Sequence, residues 1–352
     1  MNWLAPNGQS GVAHYAEILH KAIPPAPGVT VFHLGNNQLH QPIYQRLIEQ
    51  QDPKRAVILH DAVLHHFMLG ALSRDAYVEE FVHNYGEWNR ELAQDLWSGR
   101  SHSGSAPEYF AYPMLRRAME AAHLVIVHNP AAARLAREHG AGRVELVPHF
   151  IERHPAPPAQ DVFAWRAGQG IGEGTCLFGV FGHLRESKRI PAIVRAVAQQ
   201  VPGTGTHGTV ALLVQGEWGS EALRLSLDPT GVIRVSAVSE DMFRLLIAAV
   251  DVGVNLRYPS AGESSGVLSR LMAAAKPAIV TRGEELSHLP PGIVWPVSPG
   301  PGEVESLTCA MAYLAQHRTG RLEMGRAALA YAQGECAVEV LGRRIGQLLT
   351  TV

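Results

Sequence analysis

The sequence predicts an α/β protein made of two doubly wound parallel sheets. Three observations carry this. Short β-branched runs alternate with longer amphipathic segments along the whole chain, the pattern of βαβ units. The alternation yields eleven candidate strands, more than one small doubly wound sheet accommodates. It is interrupted once, by the Pro-rich IERHPAPPAQ at 151–160 and the Gly-rich GQGIGEG at 168–174, after which the strand CLFGVFG begins a second series.

The elements follow in order. The first series places strands at 2–5, 30–34, 56–60, 124–128 and 143–148. The second places them at 176–182, 209–215, 232–236, 252–256, 278–281 and 293–296. Helical periodicity occupies 11–22, 190–200, 239–249 and 267–274, and a last helix covers 338–349. Residues 1–150 and 151–334 are therefore expected as separate domains. Tyr77, Phe81, Tyr85, Trp88, Leu92 and Leu96 recur at spacings of three and four, which predicts one amphipathic helix with a buried aromatic stripe.

Composition narrows the function. The chain of 352 residues carries 30 Lys+Arg against 32 Asp+Glu, a formal charge of −2, without the basic excess of a nucleic-acid binder. At 46% hydrophobic and 18% charged residues it has the profile of a chain with a large core. Cys176, Cys309 and Cys336 are odd in number and far apart, which suits a reducing cytoplasm and neither a disulfide framework nor a zinc site. The first residues, MNWLAPNGQSG, lack a basic segment ahead of a long apolar run, and no stretch of about 20 apolar residues occurs. A cytoplasmic protein is expected.

In open α/β sheets, ligands bind beyond the carboxyl ends of the strands. After the first strand, PNGQSG (6–11) opens a helix; Ser10 and Gly11 bring backbone close to a ligand, and the helix N-terminus offers N–H groups to an anion. The same pattern occurs in ordinary βα turns, and the Lys-Ser/Thr ending of a phosphate-binding P-loop is absent. After the third strand come His60 and Asp61, groups that can orient a hydroxyl or accept a proton. A metal held by His60, His65 and His66 is disfavoured, because adjacent histidines leave a helix in different directions. In the second series, Gly182 is followed by His183, Arg185, Lys188 and Arg189, cations that can hold a departing diphosphate or form a solvated turn. After the strand VGVNL, the loop RYPSAGESSG opens a helix. There Glu263 can hold a sugar hydroxyl and the amides of Ser265, Gly266 and Val267 can hold phosphate, or the segment can serve as a helix cap.

Taken together, SGVAHYAEIL, VILHD, VIVHNPAAARLAREHGAGRVELVPHF, FGVFGHLRESKR and VDVGVNLRYPSAGESSGVLSRLMAAAKPAIVT resemble the retaining GT-B glycosyltransferases of glycosyltransferase family 4 over essentially the whole chain. The resemblance implies two Rossmann-like domains facing a central cleft. The acceptor side would be 1–150, joined by the tail 335–352, and the donor side 151–334. It implies transfer of a sugar from a nucleotide-diphosphate sugar to an unidentified acceptor, with retention, by front-face substitution and with no metal or other cofactor; no Asp-x-Asp is present. Membrane contact would follow only from a lipid acceptor. The matching positions imply donor contacts from Gly11, His183, Arg185, Lys188, Glu263, Ser264, Ser265, Gly266, Val267 and Arg270. Acceptor contacts fall to Ser10, Gly11 and His60, and catalysis to His60, Asp61, Arg185 and Lys188.

This chain departs from the family pattern at named positions. Eight residues after Glu263 stands Leu271, or Arg270 if the turn is one residue short, so the carboxylate that holds the ribose is missing. His183 replaces the first cation after the glycine, His149 replaces the Asn of the domain junction, and Ala275 replaces a Gly. The missing Glu also suits a non-catalytic subunit of the same fold that binds a glycan or a partner glycosyltransferase.

Overall fold

The structure, a computed structural model, describes all residues except 9, 25–26, 105, 201–209 and 226–231. Gln9 of the first loop and Thr209 at the start of an expected strand therefore lie outside the described residues. All the described strands are parallel. The first sheet runs β1-β2-β3-β4-β5, with β1 Asn2–Leu4, β2 Val29–Leu34, β3 Lys54–Leu59, β4 Leu124–Val127 and β5 Val144–Leu146. The second runs β11-β10-β9-β6-β7-β8, with β6 Cys176–Phe181, β7 Val210–Gln215, β8 Val232–Val235, β9 Val252–Asn255, β10 Ala278–Thr281 and β11 Trp295–Val297. Each strand falls within two residues of its expected ends. The strand signal is strong because both faces of a parallel sheet are covered, so each strand reads as a continuous apolar run.

Alternate residues divide the first sheet between two cores. Val31, Ile58 and Ile126 face one, and Phe32, Leu34, Val57, Leu59, Val125 and Val127 face the other. The first of these cores continues into the second sheet through Leu177 and Phe181 and into the C-terminal helix Val338–Thr350 through Leu341 and Ile345. That helix packs on the helix Gly11–Ala22, where Gly342 lies so close that a Cβ on it would meet Ala22 Cβ at 3.1 Å. Among the described residues no helix is long and apolar enough to cross a membrane.

One expected element is corrected. The stripe from Tyr77 to Leu96 is not a single helix but two, Arg74–Tyr85 and Arg90–Ser98, separated at Gly86. Gly86 has φ +91°, which helical backbone does not allow. Tyr77 and Phe81 are fully buried as the spacing implies, whereas Trp88, in the short turn after the break, is 86% exposed. Periodicity reports which face is apolar but carries no signal for a glycine break that resets the phase.

Candidate active site

The strand order of the second sheet reverses between β6 and β9: β6 connects to β7 on one side and β9 to β10 on the other. A crevice opens at such a switch point. The loop after β6 and the loop after β9 both emerge there and face the carboxyl ends of the first sheet. One cavity of about 370 Å³ between them is lined by Ser10, Gly11, His60 and Asp61 from the first sheet, and by Arg185, Arg257, Glu263, Ser264, Gly266 and Arg270 from the second.

The loop after β9 is built around Glu263. Its Oε1 accepts from Arg257 Nη1 at 2.5 Å and its Oε2 from the Ala261 amide at 2.9 Å. Burial pushes the carboxyl up, but the charge of Arg257 and the backbone amides outweigh it and hold Glu263 below the usual carboxylate range. The Ser265 hydroxyl is committed to the fold: it accepts from the Leu268 amide at 3.2 Å as the cap of the helix Gly266–Ala273 and donates to Asn255 Oδ1 at 3.1 Å. Val267 packs beneath Gly182.

The loop after β6 divides its cations. Arg185 is exposed and lines the cavity, whereas His183, also exposed, does not. Arg189 turns away to pair with Glu303 at 2.6 Å. Lys188 is 7% exposed and lies under the loop, its Nζ donating to the Phe181 carbonyl at 2.5 Å. A Cβ on Gly182 would stand 3.7 Å from that Nζ, so the ammonium lies close against the glycine. Burial, with the charges of Arg257 and Arg185, lowers the Lys188 pKa to about 7. Arg270 pairs with Glu240 at 2.7 Å and lies over the Phe243 ring, while Leu271 is fully buried. The motif position thus holds no carboxylate of its own, and Glu240 stands beside it.

Across the cleft, Asp61 Oδ2 accepts from the Asn36 amide at 2.7 Å. Its pKa is pushed up to about 6, first by burial and then by the negative charge of Glu263. The two carboxyls are driven apart, one held ionised and one able to take a proton near neutrality. His60 belongs to a cluster not apparent from any one motif. His33, His60 and His128 leave neighbouring strands on one face, Tyr15 lies edge-on to His60 at 4.9 Å, and His149 closes the group 5.3 Å from His128. The repeated strand endings VFHL, VILH and VIVH were the signal for it. His65 and His66 lie elsewhere, on the Tyr77 hydroxyl and the Ser103 carbonyl. No group of three or more potential metal ligands occurs among the described residues.

The loop after β9 is docked on the first sheet. The Ala62 and Val63 amides donate to the Ala261 carbonyl at 2.9 and 3.0 Å, and Asn129 Nδ2 donates to the Gly262 carbonyl at 2.9 Å. A second cavity, of about 640 Å³, opens on the far side of the Arg257–Glu263 pair between Tyr85, Arg134, Tyr258 and Arg282. Neither Arg257 nor Asn129 was given a role from sequence: the partner of Arg257 depends on how its own loop folds, and that of Asn129 lies 133 residues away.

No family model and no curated protein matches this sequence. Solved structures do. The chain is similar to Anabaena HepE in complex with UDP, with a TM-score of 0.64 and 18% identity over 100% of both chains. It is similar to WaaG, a glycosyltransferase involved in lipopolysaccharide biosynthesis, with a TM-score of 0.64 and 14% identity over 100% of this chain and 99% of that one. A third is sucrose-phosphate synthase from Thermosynechococcus elongatus, with a TM-score of 0.63 and 16% identity over 92% of this chain and 73% of that one. Two parallel-sheet domains facing one cleft, superposing on HepE and WaaG over essentially the whole of both chains, define the GT-B fold.

Proposed function

We propose that the protein is a glycosyltransferase that moves a sugar from a nucleotide-diphosphate sugar to an acceptor. One observation carries this reading: a single cavity at the switch point is lined at once by Arg185, Glu263 and a helix N-terminus from one sheet and by His60, Asp61 and Gly11 from the other. Such a cavity offers each substrate its own wall. The anion site suits a diphosphate, with Arg185 in the cavity, Lys188 beneath Gly182, and the first-turn amides of Gly266 and Val267 at the start of their helix. Glu263, held ionised, suits sugar hydroxyls. HepE was solved with UDP and with UDP-glucose, which makes a UDP-sugar the first donor to try.

The finer reading follows the resemblance to family 4. The sugar is transferred with retention, the acceptor hydroxyl attacking on the face from which the diphosphate leaves. The positive charge of Arg185 and Lys188 stabilises the leaving group in place of a metal. The departing phosphate takes the acceptor proton, with Asp61 the second candidate for that role. Incubation with UDP-glucose, with and without excess chelator, tests the reading. Release of UDP in both conditions, and a rise in melting temperature with UDP-glucose, are expected. No thermal shift with UDP-, GDP- or ADP-sugars sinks the enzymatic reading in favour of a non-catalytic subunit, and loss of turnover with chelator sinks the metal-independent part.

A further inference from the structure

We propose that His33 is a positioning residue: it holds His60 in the tautomer that carries its proton on Nδ1, so that His60 offers the cavity a hydrogen-bond donor and not a base. The proposal rests on the reading of that cavity as the substrate site.

The geometry begins with register. His33 pairs with Ile58, and His60 follows two residues later on the same face. The two rings stack with centroids 5.3 Å apart and planes at 18°, and His33 Nδ1 lies 3.0 Å from His60 Nε2. One hydrogen joins these nitrogens, and its owner decides what His60 shows to a ligand. Burial keeps both rings neutral: His33 is lowered to about 3, and His60 falls well below the usual imidazole range. Each ring therefore carries one proton.

If His60 owned the shared hydrogen, His33 would have to carry its proton on Nε2. That atom is buried and has no partner among the described residues. A buried N–H without an acceptor is among the rarest arrangements in proteins and costs more than a bare acceptor. Trp3, stacked on His33 at 5.5 Å, already has an unpartnered indole N–H, so a second donor beside it is disfavoured. If His33 owns the hydrogen, only a bare Nε2 is left. Its neighbours already tolerate that state. His40 and His128 each donate from Nδ1 to a carbonyl, of His33 and of Val147, and each leaves a buried Nε2 without a partner. The shared hydrogen thus belongs to His33 Nδ1, His60 Nε2 accepts it, and the proton of His60 is on Nδ1. Among the described residues that nitrogen has no hydrogen-bond partner, and His60 lines the cavity. A ligand oxygen there meets a donor. The proton released by an acceptor hydroxyl goes elsewhere, to phosphate or to Asp61.

The test uses the full chain labelled with 15N-histidine. Long-range 1H–15N spectra separate Nδ1–H from Nε2–H tautomers, and the His60→Gln variant identifies the His60 signals. Wild type is expected to show His60 protonated on Nδ1. His33→Asp, which sets a carboxylate acceptor opposite His60 Nε2, is expected to move His60 to the Nε2–H form. His33→Asn, whose amide nitrogen falls where Nδ1 was, is expected to keep it on Nδ1–H. UDP-glucose hydrolysis should fall about tenfold in kcat for His33→Asp, with UDP affinity unchanged, and stay near wild type in His33→Asn. His60 on Nε2–H in wild type, or an unchanged Nδ1–H signal in His33→Asp, overturns the proposal. If His33→Asp does not fold, the wild-type spectrum alone decides. Because the tautomer is read without turnover, absence of UDP-glucose binding sinks the functional reading and leaves this outcome distinct.

Discussion

The guanidinium of Arg257 and the carboxylate of Glu263 form a bridge between two cavities: Nη1 and Oε1 are 2.5 Å apart, and both side chains line the space on either side. Glu263→Gln therefore does more than remove a sugar contact. It leaves Arg257, whose Nε has no partner among the described residues, without its ion-pair partner. With the side chains 26% and 18% exposed, this should cost about 2–4 kcal/mol, somewhat below the loss expected at a fully buried pair. Turnover of UDP-glucose should fall about 10- to 150-fold, the loss of a charged hydrogen bond. Adding Arg257→Gln should restore part of the stability and none of the turnover. Melting curves and rates on the single and double variants decide it; a destabilised Glu263→Gln enzyme with wild-type kcat/KM would make Glu263 a loop-structuring residue only.

Asp61 gives a prediction about stability and pH. Its folded pKa of about 6 lies above the ordinary value of 3.8, so the folded protein holds this proton more tightly than the unfolded chain. Ionised Asp61 consequently costs stability above pH 6, and the cost fades as the pH falls from about 6 toward 4. Asp61→Asn keeps a neutral acceptor for the Asn36 amide. It should stabilise the protein at pH 8, by at most about 3 kcal/mol, and have little effect near pH 4. Equal changes in melting temperature at both pH values would refute the assignment.

Lys188 links nucleotide binding to protons. Its ammonium is half neutral near pH 7 in the free protein. A diphosphate placed over Gly182 would favour the charged form and raise that pKa, so binding should take up a proton above pH 7, and UDP affinity should weaken as the pH rises from 7 toward 9. Calorimetry of UDP binding at pH 8 in buffers of different ionisation enthalpy reads the proton directly. Lys188→Met should abolish the uptake. Wild-type binding with no buffer dependence would place Lys188 outside the anion site.

What could be read beforehand followed the physics of each signal. The eleven strands were legible because burial on both faces writes each of them as an apolar run, and the loops that follow them were legible because ligands gather there. His60, Arg185 and Glu263 were found in this way and do meet. Burial of Lys188 was not legible, because a cation in a turn reads the same whether it points to water or to the Phe181 carbonyl. Nor were the partnerships Arg257–Glu263 and His33–His60. The first depends on how one loop folds on itself and the second on register between two strands whose histidines stand 27 residues apart in sequence. Charge counts and motif spacing contain neither.

The docking of the loop after β9 on the first sheet makes the last prediction. Asn129 does two jobs with one amide: Oδ1 accepts from the Ala132 amide at 2.9 Å and caps the helix Pro130–Glu138, while Nδ2 donates to the Gly262 carbonyl across the cleft. Asn129→Asp separates them. A carboxylate still caps the helix, and its charge suits a helix N-terminus, but it sets an oxygen against the Gly262 carbonyl. Gly262 cannot adapt by gaining bulk. Its φ is +68°, and a Cβ there would lie 2.7 Å from Ala62 Cβ. The loop that carries Glu263 should then release from Ala62 and Val63, and the two sheets should separate. The expected signature is a larger radius of gyration in solution scattering and a raised KM for UDP-glucose. UDP affinity should change little, since Arg185, Lys188 and the helix start at Gly266 all belong to the second sheet's side of the cleft. Asn129→Ala should add loss of the cap, about 0.5–2 kcal/mol, to the same opening. Scattering curves that superimpose for wild type and Asn129→Asp would show that the contact between Asn129 and Gly262 does not hold the cleft together.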